Sequence, residues 1–192
     1  MAEVLLFHHA HGLTSGLGAF ADELRQAGHV VHCPDLYEGR TFDDLDAGVG
    51  HAQEIGFKTI IERGERFARD LPEELVYAGF SLGVLPAQKL ALTRPDAVAA
   101  MLFSGCVPPS AFDSTWPDAV PLQIHGMDAD EFFVAEGDLE AAQALVSGHR
   151  DRELFLYEGD KHLFADISLS SYDQAAAQLL TRRVLSFLDT VS

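Results

Sequence analysis

Short apolar runs alternate with longer amphipathic stretches along the chain. Val4 to His8, His29 to Cys33, Glu74 to Ala78, Val98 to Phe103, Pro121 to His125 and Glu153 to Tyr157 are short and apolar enough for buried strands. Between them, Leu17 to Ala27 reads as a helix closed by Gly28, and Val84 to Arg94 as one that stops before Pro95. His51 to Leu71 is helical in pattern, with Ile55, Ile60, Phe67 and Leu71 as core positions, and Asp35 to Gly50 reads as a loop before it. Asp138 to Val146 is a further helix. Tyr172 to Asp189 sets Ala176, Leu179, Leu180, Val184, Phe187 and Leu188 on one face, which should pack on the sheet. Strands that are apolar throughout, separated by crossover-length helices, predict a doubly wound, mostly parallel α/β sheet with helices on both faces.

In such sheets chemistry gathers outside the carboxyl ends of the strands. His8, His9 and His11 follow the first strand, Asp35 the second, Ser81 the third, His125, Asp128 and Asp130 the fifth and His162 the last. The motif Gly79-Phe80-Ser81-Leu82-Gly83 falls between an apolar strand and a helix, the context a nucleophile elbow requires. Pro86 fits there, because a proline in the first helical turn loses no intrahelical bond. Serine at its free pKa is a weak nucleophile and needs a base, and the base needs an acid to fix its tautomer. His162, between the last strand and the last helix, is the candidate base. Asp128 and Asp130 both qualify as the acid. Asp130 is favoured because the Asp130-x-Phe-Phe run can begin a short turn that anchors a carboxylate.

With 192 residues and 47% hydrophobic content, the chain is expected to form one domain over 1–192. Thirty acidic residues against thirteen basic ones give a net charge of −17, which argues against nucleic acid and anionic membrane as partners. The acidic cluster Asp43, Asp44 and Asp46 lacks the spacing of a calcium loop and reads as solvated. The apolar start at Val4 to Phe7 lacks the length and basic flank of a signal peptide, and no stretch approaches a spanning helix. A cytoplasmic protein is expected, with Cys33 and Cys106 as free thiols.

The bland readings weigh on several residues. His8, His9 and His11 are expected to line the pocket beside Ser81 rather than to hold a metal, and no metal or cofactor is called for. His125 should cap a strand end or pack on the acidic loop; His29, His32, His51 and His149 should lie at the surface or at edges. Phe132, Phe133, Trp116 and Phe164 are candidates for an apolar cleft as well as for plain core. Val107 to Asp118 is too short for a substantial cap domain.

Tyr157-x-Gly159 followed by His162-x-Phe164 and Tyr172-Asp173-x-Ala175-Ala176, with Pro34-Asp35-Leu36-Tyr37 upstream and His125-Gly126 before the acidic loop, resembles the dienelactone hydrolase family of α/β hydrolases over most of the chain. The resemblance implies that fold with a minimal cap or none, and oxyanion donors at the Ala10 and Leu82 backbone N–H groups. The candidate substrate pocket comprises His9, His11, Leu13, Tyr37, Arg40, Phe132 and Phe164, with Arg40 the counterpart that the resemblance supplies. Two departures matter: this chain has Ser81 where the best-known members have cysteine, and His9 where they have glutamate. Arg40 is shifted by one residue from the family's substrate-binding arginine.

Together these observations predict a serine hydrolase acting on a small-molecule ester or lactone, with a homodimer left open. The competing class is a catalytically silent protein of the same fold that binds a small ligand.

Overall fold

The computed structural model describes residues 1–192. Six strands, β1 (Glu3–Phe7), β2 (Val30–His32), β3 (Val76–Phe80), β4 (Ala99–Phe103), β5 (Leu122–Met127) and β6 (Arg152–Tyr157), form one wholly parallel sheet in the order β2-β1-β3-β4-β5-β6. Every residue of β3, β4 and β5 is buried, as strands covered on both faces require, the polar Gln123 and His125 of β5 included.

The period-two alternation of the strands divides the core into two layers. Leu5, Phe7, Tyr77, Ala100, Leu102 and Ile124 point to one face, where they meet α2 (Leu45–Ile55), α3 (Phe57–Arg69), α4 (Val84–Thr93) and α6 (Asp138–Val146). Val4, Leu6, Val76, Ala78, Met101 and Phe103 point to the other, covered by α1 (Ser15–Gln26) and α7 (Gln174–Thr190). Leu180, Val184, Phe187 and Leu188 of α7 are buried there, with Ala176 and Leu179 partly so. The expected doubly wound α/β architecture is what the chain adopts. No helix is long and apolar enough to cross a membrane.

Several local expectations are corrected. The stretch from His51 to Leu71 is two helices, because Gly56 takes a φ of 87° that ends α2 and begins α3. The loop expected up to Gly50 ends earlier. Asp44 caps α2 by accepting from Ala47 N–H, and Asp46 sits in its first turn, so part of the acidic cluster is a helix start. Phe67, expected in the core, is 46% exposed on α3, while Ile60 is fully buried.

His125 does not cap a strand end. It is sealed inside β5, stacked between Phe103 and Phe155 and bonded to the Tyr157 hydroxyl, and burial pushes its pKa down to about 3. His29 is likewise buried, its Nδ1 accepting from the Ala2 N–H. Both cysteines are free, Cys106 buried and Cys33 half-buried.

Candidate active site

Strand β3 delivers the chain to Ser81 through a turn that only small neighbours permit. Ser81 has a φ of 47°, unusual for a residue with a side chain, and opens a 3-10 turn over Ser81–Gly83 that leads into α4. A Cβ at Gly79 would collide with the Gly83 carbonyl, and one at Gly83 would strike the carbonyl oxygens of Phe7 and His8 on β1 and just after it. The glycines are therefore required by the closeness of the backbone.

The candidate base comes from the loop after β6. His162 Nε2 lies 2.9 Å from Ser81 Oγ, placed to accept the hydroxyl proton, and its Nδ1–H donates to Asp130 Oδ2 at 2.7 Å. Leu163, directly after it, has a φ of 60°, a second strained residue beside the site. Asp130 is fully buried at the N-cap of α5 (Glu131–Ala135), where its Oδ1 accepts from Phe132 N–H. Asp128 is exposed and accepts from Gly159 N–H instead. The two aspartates of this loop thus part company: one reaches the imidazole, the other ties down the loop that carries it.

Ala10 is buried in the turn after β1, and its N–H makes no hydrogen bond within the protein. Leu82 is half-buried just past Ser81. A cavity of about 260 Å³ touches Ala10, Ser81, Leu82 and His162 together, with Leu45, Val49, Phe57 and Phe132 as apolar wall. A larger groove of about 840 Å³ adjoins it across His162 and Leu45, lined by hydroxyl groups such as Thr41, Ser170 and Ser171. Open polar space thus flanks the imidazole on one side and a tighter, more apolar space on the other.

A model of the dienelactone hydrolase family matches residues 1–192. The chain belongs to that family. Among curated proteins, it is 26% identical over 171 residues to the pimeloyl-[acyl-carrier protein] methyl ester esterase of Yersinia pseudotuberculosis, a match covering 86% of this chain and 62% of that protein. The chain therefore spans less than two thirds of the length of that relative. Two solved structures share the fold. A dienelactone hydrolase-like promiscuous phosphotriesterase from metagenomic libraries superposes with a TM-score of 0.74 at 16% identity, covering 100% of this chain and 87% of that one. Esterase 2 of Thermogutta terrifontis, phosphonylated by cyclosarin, gives 0.71 at 18% identity, covering 100% and 83%.

Within this family member the pocket expectations divide. Phe132 lines the Ser81 cavity, its ring 4.9 Å from that of His162. His11 and Leu13 face the larger groove, where His11 Nδ1–H donates to the Phe42 carbonyl. The remaining four do not line the Ser81 cavity. Phe164 is 1% exposed and packs on Tyr157 in the core beneath α7. Tyr37 is buried with its hydroxyl donating to Gly48 O, and burial raises its phenol to about 12. Arg40 lies outside, beside His51 and over the Phe42 ring.

His9 is turned inward onto Asp166. His8, expected with it at the pocket, is also structural: Nδ1–H donates to His9 O, Nε2 accepts from Leu36 N–H, and burial lowers it to about 4. No group of three or more His, Cys, Asp or Glu side chains is arranged to hold a metal ion.

Sequence reasoning missed two acids. Asp138, at the start of α6, borders the Ser81 cavity and accepts from Cys106 N–H; burial raises its pKa. Asp166 is paired with a histidine 157 positions away, and its only local signal is its place four residues beyond His162.

Proposed function

We propose that the protein is a serine hydrolase that cleaves a carboxylic ester or lactone through an acyl-enzyme. The observation that carries this reading is the continuous relay from Ser81 Oγ through His162 to the buried Asp130, at 2.9 and 2.7 Å. As Ser81 attacks the carbonyl, His162 Nε2 takes its proton, and Asp130 steadies the imidazolium without itself becoming protonated. The negative oxygen of the tetrahedral intermediate is received by the N–H groups of Ala10 and Leu82, each contributing about 3 kcal/mol to transition-state stabilisation.

Collapse of the intermediate passes the proton from His162 to the departing alcohol oxygen; water then enters by the same route and frees the acid. The acyl portion sits in the apolar cavity bounded by Val49, Phe57 and Phe132, and the alcohol leaves past His162 towards the wider polar groove. The reading is supported by the names borne by the relatives, an esterase of a methyl ester and an esterase captured with a phosphonyl group, and by membership of a hydrolase family.

A fluorophosphonate probe read by intact mass tests it. One adduct on the wild type and none on Ser81→Ala is expected, with turnover of p-nitrophenyl esters or simple lactones by the wild type only. Absence of an adduct on the wild type would instead favour a silent ligand-binding member of the fold.

A further inference from the structure

The side chains of His9 and Asp166, 0% and 1% exposed, form the most fully sealed imidazole–carboxylate pair of the protein, and the relay does not use it. His9 stands one residue before Ala10 on the loop after β1. Asp166 stands four residues beyond His162 on the loop after β6. The His9 Nε2–H donates to Asp166 Oδ2 at 2.8 Å, and the same oxygen accepts from Thr14 Oγ1 at 2.5 Å. Oδ1 accepts from Ser168 N at 2.8 Å and from Ser168 Oγ at 2.6 Å.

Thr14 is also the N-cap of α1, accepting from Leu17 N–H, so one carboxylate gathers two loops and a helix start. There is no slack around it, since a Cβ on Gly16 would overlap Asp166 Oδ1.

Burial alone would raise the Asp166 carboxyl, but the bonds from His9, Ser168 and Thr14 outweigh it and hold the group well below the usual carboxylate range. Burial lowers His9, against the raising effect of Asp166, so the imidazole is a neutral donor. Its Nδ1 is buried with no partner. A packed apolar pair of the same volume would serve stability as well or better than this half-satisfied arrangement. What a charged hydrogen bond adds is direction and a fixed distance.

We propose that His9 and Asp166 are positioning residues, locking the loop that presents the Ala10 N–H to the loop that presents His162. The inference rests on the serine hydrolase reading, in which donor and base must keep one registration about Ser81 Oγ. Ala10 N–H lies on irregular backbone and has no hydrogen bond of its own, so its aim depends on its neighbours. A misplacement of about 1 Å costs about 100-fold in rate, and sites need about 0.5 Å of precision.

The test compares the full chain as wild type, His9→Phe and His9→Gln, at temperatures below every unfolding midpoint. His9→Phe keeps the ring volume and loses the donor; His9→Gln keeps a donor that reaches the same carboxylate. For p-nitrophenyl butyrate, His9→Phe should lower kcat about 10- to 100-fold with KM within about twofold. The Ki of a trifluoromethyl ketone, which adds to the serine and places a negative oxygen at the oxyanion position, should rise by the same factor. His9→Gln should recover most of both. Amide hydrogen exchange should accelerate together in segments 9–13 and 163–168 of His9→Phe, and in neither of His9→Gln.

The proposal is overturned if kcat and Ki are unchanged in His9→Phe, if exchange quickens in one loop alone, or if His9→Gln is as impaired as His9→Phe. Should His9→Phe fail to fold, Asp166→Asn carries the same expectations. Failure of the hydrolase reading looks different: the wild type itself is neither labelled nor active. That result removes the catalytic consequence, while the exchange data alone still decide whether the pair couples the loops.

Discussion

Two imidazole–carboxylate pairs stand on the same rim of the sheet with hydrogen bonds of 2.7 and 2.8 Å, and they differ in what meets the far nitrogen. In His162–Asp130 that nitrogen faces Ser81 Oγ at 2.9 Å, and the ring borders two cavities. In His9–Asp166 it faces no partner, and the ring is sealed. The carboxylate contact alone therefore does not make a base. A base must also meet a proton to take, and solvent or substrate to pass it to. Burial without access leaves an imidazole that can only hold things in place.

The largest separation between the pairs is expected from matched aspartate-to-asparagine changes. In Asp130→Asn the amide can present a donor to Nδ1 and turn the tautomer the wrong way, so kcat should fall about 10⁴-fold with the fold intact. In Asp166→Asn only alignment suffers, and the fall should be about 10- to 100-fold. Steady-state kinetics on one p-nitrophenyl ester, with circular dichroism as control, decides it. Equal losses would erase the distinction between relay and lock.

A smaller loss should follow when the Ala10 loop is pushed from its other side. A Cβ at Gly48 would collide with the Ala10 carbonyl, so Gly48→Ala should push the loop away from α2 while removing no atom of the His9–Asp166 pair. We expect kcat to fall about tenfold with KM little changed. A rise in KM with kcat preserved would mean that Ala10 only walls the cavity.

The contrast also marks what the sequence made legible. Ser81, His162 and Asp130 each announce themselves locally: a serine between glycines after a strand, a histidine after the last strand, an aspartate opening a short apolar turn. Asp130 stood out from Asp128 because helix capping is a nearest-neighbour property, and the cap is what buries it. Residues 9 and 166 carry no such signal, because their partnership spans 157 positions and depends on how two loops converge in space. Phe164, a candidate for core as well as cleft, packs into the core, and His125 is sealed within β5 rather than at a strand end, because an aromatic or imidazole near the rim can turn inward and only packing decides. The break at Gly56 was masked by an amphipathic pattern that runs on through Ile55 and Phe57.

Acid should distinguish the sealed imidazoles by stability rather than by rate. His8 and His125, held by burial to about 4 and about 3, stay neutral in the folded state while the unfolded chain takes up protons near pH 6.5. More protons bound in the unfolded state means stability that is complete above about pH 6.5 and is lost as pH falls towards 4 and then 3. His9 is shifted in the same direction and adds to the slope. Each such group contributes about 1.4 kcal/mol per pH unit within its window. Urea midpoints should therefore hold level from pH 7.5 to about 6.5 and decline steadily from there to pH 4.5. A flat profile would mean that these rings are not neutral and sealed.

The smallest effect is expected at Asp128, and it sharpens the comparison by subtraction. Asp128 lies two residues from Asp130, on the same loop and with the same chemistry, yet it is exposed and its carboxylate accepts only from Gly159 N–H. Backbone bonds from Asp128 N–H to Tyr157 O and from Ala129 N–H to Gly159 O already join these loops without the side chain. Asp128→Asn retains an acceptor for Gly159 and removes one exposed charge, so kcat should stay within about twofold, as for other surface changes that break no buried contact. A loss approaching that of Asp130→Asn would mean that the loop exchanges its two carboxylates at His162. Burial would then not be what selects the acid, and the distinction drawn between the two imidazole pairs would lose its footing.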